Sequence, residues 1–386
     1  MKTNRYIEKK HDFEIVDIRE GRYVEHSETM EKQSNCNLEF VAKLLPLLSE
    51  KDNSVICPYG IASVLTIAAE GANKDCLAQI LQVLGFNSLE ELRECVLAVQ
   101  DVQYSTFSSD NGLVLQQGEE KQELLSNFRK IIEERYNASV EEVSSEGEAS
   151  FLLKNVANFK AEWLYEMERD ISHEEIFRNA DGSSSNPAFL STKQEFLRYY
   201  EDEFGNGAFA SLKAIALPYR IQGERIPYEL ILVDSKEALT KESLHNILGR
   251  MRLNRCTVVF PEFSIKSNNN LVPLMKHLGL NTIFNDSEAL DKIATHPLCA
   301  KEFSQEAEIE VDKNGTVARA VTEMTDSHIG DYLDWDEKLV FNKPFHYFLR
   351  NTTTGEIVFM GKVNILEDYI RTKTVAVPEF LFRMFL

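Results

Sequence analysis

Apolar positions recur along this chain with two alternating periods. Phe40, Val41, Leu44, Leu45 and Leu48 fall at helical spacing, as do Ile61, Val64, Leu65 and Ala68, then Leu77, Ile80, Leu81 and Leu84. These stripes predict three amphipathic helices, and Gly71-Ala72 ends the second. A less regular helix is expected over Leu89 to Val102, and Leu124, Leu125, Phe128, Ile131 and Ile132 mark another that stops near Tyr136. Strands are expected at Leu113-Val-Leu, Val140 to Val143, Phe151 to Trp163, Tyr228 to Val233 and Val258 to Phe263. Leu271 to Leu278 returns to helical spacing. The hairpin Phe345 to Leu349 and Ile357 to Met360 turns at Thr353-Thr354-Gly355.

One stretch departs from both periods. Residues 307–312 begin as a strand, with Ile309 and Val311 between Glu308, Glu310 and Asp312, and reach a turn at Asn314-Gly315. Beyond it Thr316, Ala318, Ala320 and Thr322 are small at every second position, while Val317, Arg319, Val321 and Glu323 stand between them. Strand side chains alternate between faces, so this connection can enter a sheet with its small residues inward. It is written as a latent strand. Its bland reading is a polar connection between two strands.

Composition narrows the setting. The 386 residues carry a formal charge of −20, which disfavours nucleic acid or an anionic membrane as a general partner. No apolar run approaches the ~20 residues of a membrane span. The cysteines at 36, 57, 76, 95, 256 and 299 show no metal spacing and read as unpaired structural thiols. Asn137, Asn314 and Asn351 fit a glycosylation triplet that also arises by chance. Residues 1–35 are charged and aperiodic, and are expected to be a disordered tail. There is no GxSxG elbow, HExxH, P-loop or GxGxxG. His173-Glu174-Glu175 lacks a second histidine on the same face and reads as a charged turn. No cofactor, metal or catalytic residue is expected, and the chain does not read as an enzyme.

The latent strand, followed by Phe341-Asn342-Lys343-Pro344-Phe345 and Phe359-Met360-Gly361-Lys362, resembles the serpin family. Asn53 through Ile80, Leu217-Pro218-Tyr219, Val258 to Phe263 and Gly279-Leu280 match that family in order. The resemblance implies an α+β fold in a single domain over residues 36–366, with mixed sheets, surrounding helices and an exposed reactive-centre loop. Four departures stand out. Cys57 and Gly60 occupy positions where the family usually has serine, near the opening of the main sheet. His346 replaces an apolar residue. Ser144-Ser-Glu-Gly-Glu-Ala leads almost directly into Phe151, so about thirty residues, enough for the helix that covers the main sheet, are missing. One sheet face should therefore lie bare, at about 25 cal/mol per Å² of apolar area. Residues 367–386 add an extension ending in apolar residues, which should dock on the body or a partner.

By the same resemblance the chain is a suicide substrate for a serine protease. The loop 315–338 is cleaved, and its hinge, Gly315, Thr316, Val317, Ala318, Arg319, Ala320, Val321 and Thr322, then enters the main sheet beside Trp163. Counting from Gly315 places the scissile bond at Ile329-Gly330, with His328, Tyr332 and Leu333 as alternative cleavage side chains. No basic residue lies between Arg319 and Lys338, so an elastase- or chymotrypsin-like target fits better than a trypsin-like one. The loop's acidic residues would steer a protease with a basic rim. Arginine at 316 or 318 should block insertion and leave the intact fold alone. Asp326, at a later inward position, counts against insertion, and the other reading is a non-inhibitory serpin-like binding or structural protein whose loop stays out. A monomer is expected. The resemblance implies an extracellular setting, and the absence of an apolar signal core after Met1 a cytoplasmic one if Met1 is the true start.

Overall fold

A computed structural model describes residues 37–101, 106–117, 125–136, 138–144, 150–170, 175–193, 195–202, 212–294, 298–316 and 337–369. Helix α1 (37–44) passes at Pro46 into a single 3₁₀ turn, because proline cannot donate to a continuing α-helix. The other helices are α2 (Pro58–Glu70), α3 (Lys74–Leu84), α4 (Leu89–Asp101), α5 (Ser126–Arg135), α6 (Lys241–Arg250), α7 (Val272–His277) and α8 (Thr282–Asn285). Their ends follow local chemistry. Asn73 caps α3 by accepting from Cys76 N–H at 2.9 Å, and Gly85 closes it at φ 84°. Thr240 and Ser243 form a capping box on α6.

The strands in the first half are β1 (Ser54–Ile56), β2 (Phe107–Gln117), β3 (Ser139–Ser144), β4 (Ser150–Phe159), β5 (Ala161–Trp163), β6 (Met167–Asp170), β7 (Phe177–Arg178), β8 (Ser184–Ser185) and β9 (Phe189–Thr192). They continue with β10 (Glu195–Glu201), β11 (Lys213–Ile221), β12 (Glu224–Asp234), β13 (Arg252–Pro261), β14 (Phe263–Asn270) and β15 (Ala300–Asp312). The last are β16 (Gly315–Thr316), β17 (Glu337–Val340), β18 (Phe345–Asn351) and β19 (Ile357–Val363).

Three connected sheet regions result. The main one runs β3-β2-β4-β15-β14, with β4 and β15 parallel at its centre. A second runs β1-β19-β18-β12-β11-β10, antiparallel throughout. A third joins β17, β13, β9 and β6. One apolar cluster lies between the main sheet and α1–α3, and a second, rich in aromatics, fills the space between sheets. This is the α+β arrangement that the family resemblance implied.

β3 ends at Ser144 and β4 begins at Ser150, so only residues 145–149 join them. That is too few for a helix with its connections. The bare face does not carry the apolar penalty expected for it. Alternation along β15 puts Phe303, Gln305, Ala307, Ile309 and Val311 inward and Glu302, Glu306, Glu308 and Glu310 on the open side. Lys266 on β14 bridges Glu306 at 2.8 Å and Glu308 at 3.5 Å, and Lys154 and Asn158 continue the polar surface on β4. Val156, 38% exposed, is the large apolar side chain left open there. The chain has exchanged a covering helix for charge.

Candidate functional site: the hinge and its slot in the main sheet

At the end of β15 the Asp312 carboxylate accepts from the backbone N–H of Asn314 at 2.8 Å and of Gly315 at 3.1 Å, which folds the chain back on itself. Gly315 has φ 150°, and a Cβ there would stand 2.0 Å from the Ala161 carbonyl oxygen, so only glycine fits. The turn delivers β16 between two strands. Thr316 lies opposite Val311 on β15 and Ala161 on β5, and Gly315 lies opposite Asp312 and Glu162. Both pairings are antiparallel. The first two hinge residues are thus already a short strand with a neighbour on each side.

The Thr316 side chain is fully buried, and its hydroxyl lies 2.7 Å from the Tyr219 hydroxyl. Tyr219 stacks on Trp163 at 4.6 Å, and burial raises its phenol well above the ordinary range, so it stays protonated. Trp163 donates from Nε1 to the Asp312 carbonyl at 2.8 Å and from its backbone N–H to Asn314 O at 3.2 Å. The aromatic pair therefore holds the turn from beneath. Glu262 accepts from Arg169 Nε at 2.7 Å and from Lys313 N–H at 3.1 Å, which ties the same turn to β6. Burial raises the Glu262 pKa, against the lowering by Arg169.

These contacts correct one expectation. Thr316 is not a free loop residue waiting outside the sheet. Arginine at 316 would be forced into the intact fold as well as the cleaved one.

Below β16 the slot closes, because β4 and β15 pair directly from Phe151–Ala300 to Ala157–Ala307. A buried amide network lies under that seam. Gln305 accepts from Cys57 N–H at 2.8 Å and donates to Cys57 O and Asn155 Oδ1, both at 2.9 Å. Asn155 donates in turn to Ser109 Oγ and Asn111 Oδ1, each at 3.0 Å. Gly60 makes room for this network, since a Cβ there would meet Asn155 Oδ1 at 2.1 Å. The Cys57 thiol accepts from Gly60 N–H and is pushed up to about 12 by burial, so it is an inert cap.

Of the site residues expected from sequence, the structure brings together Gly315, Thr316 and Trp163. Val317 to Thr322, His328, Ile329, Gly330, Tyr332 and Leu333 lie outside the described residues. The chain returns at β17, which runs parallel to β13 with Glu337 opposite Cys256. Sequence reasoning missed the partners of the hinge. Tyr219 was visible only as the end of Leu217-Pro218-Tyr219, and Asn155 and Gln305 only as amides interrupting inward apolar positions.

A family model described as serpin (serine protease inhibitor) matches residues 35–150 and 144–365. The match breaks at 144–150, where β3 passes into β4. Iripin-2 of Ixodes ricinus is 23% identical over 87% of this chain and 94% of its own length. Serpin48 of the insect Tenebrio molitor superposes with a TM-score of 0.71 at 21% identity, covering 89% of this chain and 100% of that structure. Human thyroxine-binding globulin in complex with its ligand gives 0.71 at 17% identity, over 88% of this chain and 100% of the other. With the family pattern matched along most of its length, in the order of strands and hinge described above, the chain belongs to the serpin family.

Proposed function

We propose that the chain inhibits a serine protease of elastase- or chymotrypsin-like specificity by acting as a suicide substrate. The observation that carries this reading is the position of Gly315 and Thr316, already paired with strands on both sides at the mouth of the main sheet. The protease serine attacks the Ile329 carbonyl, the amine of Gly330 leaves, and an acyl ester joins the enzyme to Ile329. With the loop cut, Val317 to Thr322 follow Thr316 downward as β4 and β15 part, each new residue gaining backbone hydrogen bonds to both. The ester-bound protease is drawn along before water can release it.

The short connection at 145–149 favours a second reading, in which the loop stays out and the fold serves as a binding or structural body. Thyroxine-binding globulin, a protein of the same fold, binds thyroxine. Incubation with elastase and with chymotrypsin, followed by denaturing electrophoresis, separates the two. A covalent band at the mass of the protease plus residues 1–329 supports inhibition; clean cleavage with active protease remaining supports the second reading.

A further inference from the structure

The strand β6 presents an open edge. Its strand partner among the described residues is β9, with Asp170 opposite Phe189 and Met167 opposite Thr192, and no described strand runs along its other side. Edges of this kind are templates for an added strand. The chain is led to this one. Beyond β19, Leu366 N–H donates to Asn179 Oδ1 at 2.9 Å, Asp368 Oδ1 accepts from Asn186 N–H at 2.7 Å, and Tyr369 N–H donates to Asn186 O at 2.8 Å. The Arg169 guanidinium lies over the Tyr369 ring, 5.8 Å from its centre. Tyr369, the last described residue, therefore stands beside Arg169 of β6.

The adjoining segment has the composition of a strand. Arg371-Thr372-Lys373-Thr374-Val375-Ala376-Val377 is rich in β-branched residues, places its two cations at alternate positions, and stops at Pro378. β6 offers the complementary pattern, with Glu168 and Asp170 on one face and Glu168 also bridging the exposed Lys193 at 3.0 Å. We propose that residues 371–377 run antiparallel along the open edge of β6, Arg371 to Thr374 pairing with Asp170 to Met167 and the rest continuing past 164–166, so that Arg371 stands opposite Asp170 and Lys373 opposite Glu168. Opposed charges across neighbouring strands fix that register, since a slip of one residue turns both cations to the other face. Only residues 164–166 separate β6 from Trp163, so the added strand braces the mouth of the slot from outside. It does so whether or not the loop inserts.

Amide hydrogen exchange on the full chain tests this. Residues 371–377 should exchange at least ~10-fold more slowly than an unstructured peptide, and ending the chain after Tyr369 should speed exchange within Met167–Asp170. Lys373→Glu should lower the protection of both segments, and Glu168→Lys combined with Lys373→Glu should restore it. Exchange of 371–377 at the unstructured rate overturns the proposal. So does protection of 371–377 that leaves β6 indifferent to truncation and to Lys373→Glu, which would place the segment elsewhere or on a second molecule.

Discussion

Gly60→Ala is the most informative small change in this fold. The added methyl would stand 2.1 Å from Asn155 Oδ1, 2.5 Å from its Cγ and 2.6 Å from its Nδ2, so the amide must leave its place. Asn155 is 1% exposed and holds bonds to Gln305, Ser109 and Asn111, and its close-packed surroundings resist a rotated amide. Losing buried hydrogen bonds costs about 1–3 kcal/mol each when a partner is left unsatisfied, and overpacking adds about 1–3 kcal/mol. Gln305 keeps both bonds to Cys57, so one lost bond together with overpacking amounts to about 2–6 kcal/mol. A domain of this size unfolds with an entropy near 0.7 kcal/mol per kelvin, estimated as about 2.1 cal/mol/K per residue, which converts the loss to roughly 3–9 °C in Tm. Gly112→Ala is the control, since the nearest atom to its new methyl is Lys154 Cβ at an ordinary 3.6 Å. Melting followed by circular dichroism should show a clear drop for the first and almost none for the second. A Gly60→Ala protein melting within about 1 °C of the parent would refute the claim that the Asn155–Gln305 couple locks the seam. Serine at 60, usual in the family, would bring its Cβ into the same collision.

Other outcomes rest on the buried charges and on α6. Burial alone would raise the Glu70 pKa, but hydrogen bonds from Arg93 and Tyr136 and the nearby Arg135 hold it below the ordinary carboxylate range. Its stabilisation is therefore present above about pH 4.5 and lost as pH falls through the folded value; Glu70→Gln should cost about 1–3 kcal/mol at pH 7 and flatten that acid limb in urea titrations. His346 is lowered from 6.5 to about 4 by burial and then by Lys362. Between those values the unfolded chain takes up a proton that the fold refuses, so stability falls as pH drops from 6.5 towards 4, by up to about 3 kcal/mol. His346→Phe should remove that slope in the same titrations. Gly249, in α6 with open space around its Cα, should gain up to about 1 kcal/mol as alanine, read as a higher urea midpoint.

Periodicity made the single elements legible, and the family resemblance supplied the fold they build. The strand before Asn314-Gly315 and the stripe of small residues after it stand in the order of residues; that a covering helix has no room between Ser144 and Phe151 is visible only beside the family's pattern. Periodicity assigns a residue to a face and says nothing of whether that face is occupied. Thr316 could be placed inward, but its burial against Tyr219 depends on β5 and β11 arriving from distant segments. Inward amides at 155 and 305 look like flaws in apolar alternation until they are seen facing each other across the β4–β15 seam. The polar face that replaces the missing helix was spelled out in Glu302, Glu306, Glu308 and Glu310, yet its meaning required knowing which side of β15 lay open.

The central claim is that Gly315-Thr316 is the first step of a strand that the rest of the hinge completes. The most direct measurement is the melting temperature of the protein after limited cleavage within 317–336, compared with the intact protein under the same buffer. Insertion adds a strand paired on both edges and buries Ala318, Ala320 and Thr322, so the cleaved form should melt well above the intact one, and Ala318→Arg should abolish the gain. An unchanged or lower melting temperature on cleavage of the unmodified chain would contradict insertion and leave the fold as a binding body.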